Sequence, residues 1–129
     1  MANLFNDNYG STTPDNLIAN NLHPIDTKGI TIASGQGKLS RGTVIGVVTA
    51  SDKGKIVNSA NSDGSQNADC ILTDDIDATS ADVVTSAYIS GSFNRKALTF
   101  GGTDTAATHE NALRQKGIFL KDVQPYDAE

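Results

Sequence analysis

From residue 30 onward the chain sets short β-branched runs between glycines and polar breaks, a spacing that predicts strands. Ile30-Thr31-Ile32-Ala33 alternates and ends on the turn Ser34-Gly35-Gln36-Gly37. Residues 38–49 carry a strong strand signal interrupted by Gly42 and Gly46, so two short strands with a kink between them are expected. A turn over 50–55, a brief return strand over 55–57 and a loop over 58–67 dense in Asn, Ser, Asp and Gly come next. Residues 68–72 read as a strand, followed by the acidic run Thr73-Asp74-Asp75-Ile76-Asp77. The best single strand covers 82–89, Ser90-Gly91-Ser92 reads as its turn, and 93–100 is extended. One helix is predicted over 105–115, where Ala106, Ala107, Glu110, Ala112, Leu113 and Arg114 favour it and Gly117 stands where a C-terminal cap belongs. Residues 118–120 close the pattern as a strand. The fold class is therefore all-β with one short C-terminal helix.

Residues 1–28 read differently. Asn3, Asn6, Asn8, Asn16, Asn20 and Asn21 are interspersed with Gly10, Ser11, Thr12, Thr13 and Pro14, and neither period persists. Such composition does not fold alone. Leu4, Phe5, Tyr9, Leu17, Ile18, Leu22 and Ile25 nevertheless give it more apolar content than a solvated tail carries. The segment reads as an extended N-terminal arm laid along a surface, either that of its own domain or that of a partner, with the β domain over 29–129.

Size and charge narrow the function. A length of 129 residues suits one domain, and 37% hydrophobic and 5% aromatic residues without tryptophan leave a modest core of Val, Ile, Leu and a few Phe. Oligomerisation is one way for such a chain to bury more apolar surface. A net charge of −5, with Lys and Arg scattered singly, gives no basic footprint for nucleic acid or an anionic membrane. No stretch approaches a membrane span and the first residues lack a secretory pattern, so the expected compartment is a cytoplasm unless the protein leaves in a particle. Cys70 is the single cysteine, which excludes an internal disulfide and every multi-cysteine metal or redox motif.

A catalytic reading has to work with His23, His109, Cys70 and the carboxylates Asp74, Asp75, Asp77 and Asp82. Nothing in their sequence context pairs either histidine with a carboxylate or a nucleophile, so no enzyme activity is expected. The loop around Asp63-Gly64 fails as a calcium loop, because Ser59 takes the first ligand position and Cys70 the closing glutamate position. The acidic run could hold an adventitious cation, but carboxylates flanking a turn usually form a solvated face. Gly35-Gln36-Gly37-Lys38 resembles part of a phosphate loop, yet Leu39 replaces the required Ser or Thr. No cofactor or metal is expected.

The order of features is more informative than any one of them. Gly37-Lys38-Leu39-Ser40-Arg41-Gly42-Thr43-Val44-Ile45-Gly46 is followed by Ala68-Asp69-Cys70-Ile71-Leu72-Thr73-Asp74-Asp75-Ile76-Asp77. Residues 83–89, Ser90-Gly91-Ser92-Phe93 and Ala112-Leu113-Arg114-Gln115-Lys116-Gly117-Ile118-Phe119-Leu120 complete the succession. In this order the chain resembles the lambda-type phage head decoration proteins. The resemblance implies a β-clip-like subunit, a homotrimer at three-fold sites of the expanded head, and the phage's major capsid protein as partner. It places the protein on the capsid exterior of the virion, after a stage in the host cytoplasm, with no contact to nucleic acid or membrane. On this reading the arm is capsid-binding, with Leu17, Ile18, Leu22, Pro24 and Ile25 as its contact residues. Another virion β module, such as a tail or spike component, shares the composition. A small enzyme on a β-clip scaffold would need a glycine-flanked Asp with a stacking aromatic, which is not found.

Overall fold

A computed structural model describes residues 17–20 and 23–122. Its strands are β1 (Ile18–Asn20), β2 (Asp26–Ile32), β3 (Gly37–Leu39), β4 (Val44–Val47), β5 (Gly54–Ile56), β6 (Ala68–Leu72), β7 (Ile76–Ala78), β8 (Val83–Asn94) and β9 (Ile118–Lys121). A 3-10 turn, Arg95–Ala97, follows β8, and helix α1, Ala106–Gln115, precedes β9. The all-β class with one short C-terminal helix is what the structure has.

Strand β8 organises the rest. Its first part runs antiparallel to β2, from Ile32↔Val83 to Asp26↔Ser90. Strand β2 meets β5 in parallel at Ile32↔Gly54, β5 pairs with β4, and β4 pairs with β6. Strand β6 returns to β8 through Ile71↔Tyr88 and Leu72↔Ala87, which closes the sheet into a small barrel. A closed sheet leaves fewer unpaired backbone groups than an open one. Strands β3 and β7 form a separate antiparallel pair, Gly37↔Ala78 to Leu39↔Ile76.

The continuous apolar character of β4 and β6 now has a cause. Val44, Ala68 and Ile71 lie in one core cluster, with Leu17, Phe93, Leu113, Ile118 and Leu120. Ile45, Cys70 and Leu72 lie in the other, with Ile30, Ile32, Leu39 and Ala87. Strands covered on both faces have no polar side to show, so simple alternation disappears from their sequence. Asp69 is the exception in β6, and Lys28 Nζ at 2.8 Å and Lys116 Nζ at 3.3 Å neutralise it.

Two sequence expectations need correction. Ser90-Gly91-Ser92 is not a turn: β8 continues through it to Asn94. Gly91 has φ 137°, which side chains rarely adopt, and it marks where β8 leaves β2 and takes β9 as a parallel neighbour through Ile118↔Gly91. The acidic run contains a strand, β7, which is too short and too polar at Asp77 to have a readable period. Strands β1 and β2 include residues 18–20 and 26–28, which lie within the span read as the arm. The helix forms as expected: Thr105 and Thr108 make a capping box, and Gly117, at φ 95°, follows its C-cap.

Candidate functional site

Both ends of the described chain are fastened to the same end of β8. On one side, Asn94 N–H donates to the Leu17 carbonyl at 2.7 Å, and Ile18 stands opposite Phe93. On the other, Lys121 is in register with Asn94. The Arg95 guanidinium, next along, binds the Glu110 carboxylate, donates to Asp122 Oδ1 at 2.9 Å and reaches the Leu120 carbonyl at 3.2 Å. Arg95 in turn holds the Glu110 carboxyl below its ordinary range. The chain upstream of Leu17 and the chain downstream of Asp122 therefore leave from neighbouring points.

The expected arm residues divide sharply here. Leu17 is 2% exposed, packed in the core cluster with Phe93, and Ile18 is half-buried against the same cluster. Pro24 is exposed and its carbonyl accepts from Ser90 Oγ at 2.8 Å; Ile25 is 44% exposed. Leu22 lies outside the described residues. Between the two groups, His23 stacks on Phe119 with ring centroids 4.1 Å apart, and its Nδ1 lies 2.7 Å from the buried Ser92 hydroxyl. Residues 18–20 thus pair beside β8 and His23 lies against β9, while Pro24 and Ile25 are exposed. One exposed apolar side chain escaped sequence reading. Val84, 80% exposed on β8, sits in a run that looks like core because the residues around it are also β-branched.

The other chemical candidates are occupied by structural contacts. Against the sequence expectation, one histidine does have a carboxylate partner: Asp104 accepts from Ser59 Oγ at 2.6 Å and faces His109 Nε2 at 2.7 Å, five residues away on α1. Hydrogen bonds from Ser59 and then His109 hold its carboxyl below the usual value. Serine and histidine both address the carboxylate, so the imidazole does not stand between it and the hydroxyl as it would in a catalytic triad. The His109 ring also stacks with Phe100 at 5.7 Å. Cys70 is fully buried, and burial followed by the nearby Asp69 charge pushes its thiol up to about 12. In the acidic region Asp75 accepts from the Arg41 N–H, Asp77 from the Thr79 N–H, and Asp82 from the Ser34 N–H and Lys53. Among the described residues, no three His, Cys, Asp or Glu side chains come together as a metal site. The N–H groups of Gly35 and Gln36 both point to the Ala78 carbonyl, so the apparent phosphate loop is a turn with its donors in use.

What this end of the molecule offers is a mixed apolar and polar surface beside two departing chain segments, a construction suited to binding a partner. Comparison with known proteins bears on which kind. No curated protein gives a significant match to the sequence. The family model described as bacteriophage lambda head decoration protein D matches residues 8–118, from upstream of β1 through the barrel and α1 to the first residue of β9. A match over that much of the sequence settles the relationship: the chain belongs to the bacteriophage lambda head decoration protein D family.

Proposed function

We propose that this protein caps an expanded phage head as a trimer and reinforces it against the outward pressure of packaged DNA. The observation that carries the reading is the family match, which includes residues 8–16 of the arm as well as the barrel. The contact surface is the end of β8 where the chain termini depart. Pro24 and Ile25 supply exposed apolar contacts there, and residues upstream of Leu17 reach the capsid protein. Leu22 belongs to the same proposed surface. Leu17 and Ile18 serve it indirectly, by clamping the root of the arm to β8. A trimer turns three weak arm contacts into one avid attachment, since after the first arm binds the others act at high effective concentration. Small size and a core without tryptophan favour burying further apolar surface between copies, and exposed Val84 is one side chain such contacts could cover.

Co-sedimentation with heads of the parent phage tests the proposal. Binding is expected to expanded heads and not to unexpanded shells or tails, at a stoichiometry of three copies per three-fold site. Equal binding to both head forms, or binding to tails, would remove it. Sedimentation equilibrium checks the assembly state, and a monomer both in solution and on heads would remove the trimer.

A further inference from the structure

Two apolar features of the barrel surface match each other in shape and chemistry. One projects: Val84, near the start of β8, is 80% exposed. The other is hollow: the β3–β7 pair carries an open groove of about 450 Å³, with Leu39 and Ile76 as its apolar lining. A single exposed apolar side chain is ordinary on a protein surface. A projection and a hollow on different faces of one small domain are what a contact between copies needs when it joins unlike surfaces.

The charges around the two features are opposed as well. Lys38, Asp75 and Asp77 line the groove, while Lys28 and Asp52 line a second, shallower hollow together with Val84. Among the described residues, Lys38, Asp52, Asp75 and Asp77 take part in no ion pair. Asp75 accepts from the Arg41 N–H, and Asp77 from the N–H and hydroxyl of Thr79, all uncharged donors. Each patch thus presents both signs, so Asp52 can meet Lys38 while Lys28, bound to Asp69 in its own chain, can also meet Asp75 or Asp77. Position fits the same contact. Val84 lies ten residues before Asn94, where both chain ends are fastened, up to about 33 Å along an extended strand. A contact at Val84 leaves the roots of the departing segments clear.

We propose that Val84 of one copy seats between Leu39 and Ile76 of the next, and that three such contacts close a ring. The inference rests on the trimer proposed above and names the surfaces that build it. Seating moves the valine from water into an apolar groove, and the opposed charges fix the direction in which copies follow one another. Because the joined faces differ, closure after three copies is what keeps the contact from running on into a filament.

Disulfide trapping on heads tests this without requiring the trimer to be stable in solution. Lys38 and Val84 are both exposed, so Lys38→Cys combined with Val84→Cys is expected to fold like the wild type. Bound to expanded heads of the parent phage and oxidised, the double variant should give covalent trimers on a denaturing gel, and neither single variant should give any cross-linked product. An intrachain disulfide, free thiols only, or dimers from Val84→Cys alone would overturn the inference, the last because it joins like faces. Wild-type protein that does not bind heads fails the capsid reading itself, and the inference falls with it. A charge exchange gives a second measurement: Lys38→Asp should weaken head binding about tenfold, and adding Asp52→Lys should restore it. Absence of restoration counts against the contact. A Val84→Lys protein that remains trimeric but no longer binds heads would give Val84 to the capsid protein instead.

Discussion

The most deeply placed reactive atom, the Cys70 sulfur, is made inert by where it sits. Apolar surroundings disfavour the thiolate, and the pKa near 12 leaves almost none at neutral pH. Native protein is therefore expected to resist a thiol-specific disulfide reagent for hours at pH 8 and to react fully once unfolded in urea; rapid labelling of folded protein would contradict the burial. Asp104 shows the opposite use of a polar residue. Its bonds to Ser59 and His109 join the loop 58–67 to α1, and Asp104→Ala leaves the buried His109 ring without that partner. The expected cost is about 1–3 kcal/mol at neutral pH, read from chemical denaturation. Because the folded carboxyl titrates below the unfolded value of about 3.9, its contribution is present above about pH 4 and fades as pH falls through the folded value. The stability difference between wild type and Asp104→Ala should narrow in that acid range, and a difference that widens there would assign the stabilisation elsewhere.

Among the elements, those whose sequence obeys a local rule were readable and those that depend on distant neighbours were not. Strand β6 was found to the residue, and α1 to within one, because an apolar run and a capped helix announce themselves locally. Strand β1 was missed because its three residues gain meaning only against Phe93 and Ser92, more than seventy residues away. Leu17 and Ile25 look alike in the sequence, yet one is buried and the other exposed, and only the register on β8 separates them. Gly91 misled for a related reason: a glycine between serines usually signals a turn, but here its positive φ lets one strand change partners without ending. A β-carbon there would also lie 3.2 Å from both Ile25 Cγ1 and the Phe93 ring. Gly91→Ala is expected to lower stability by about 1–3 kcal/mol, mostly through the backbone, as measured by thermal or urea unfolding. An unchanged melting temperature would mean that β8 does not need the unusual conformation.

For the whole molecule, the decisive question is where folding ends and attachment begins. Composition reads residues 1–28 as an arm, and within that span Leu17, β1 and the start of β2 are packed on the barrel. Leu17 fills the core beside Phe93, and β2 begins at Asp26 with seven residues paired to β8. Two truncations should therefore behave differently. Removing residues 1–16 deletes none of the packed side chains described here, so the melting temperature should change little. If those residues bind the capsid, affinity for expanded heads should fall at least about tenfold, equivalent to roughly 1.4 kcal/mol. Removing residues 1–28 also takes Leu17, Ile18, the His23 ring on Phe119 and the first three residues of β2. Losing Leu17 alone costs on the order of 2–5 kcal/mol, a large share of the stability of a domain this size. That chain should melt well below the first, or fail to fold at 37 °C. Head binding and melting temperature measured on both chains separate the two roles. A protein lacking residues 1–16 that still decorates with full affinity would relocate attachment to the barrel surface around Pro24 and Ile25. One lacking residues 1–28 that melts like the wild type would show that Leu17 does not hold the core together.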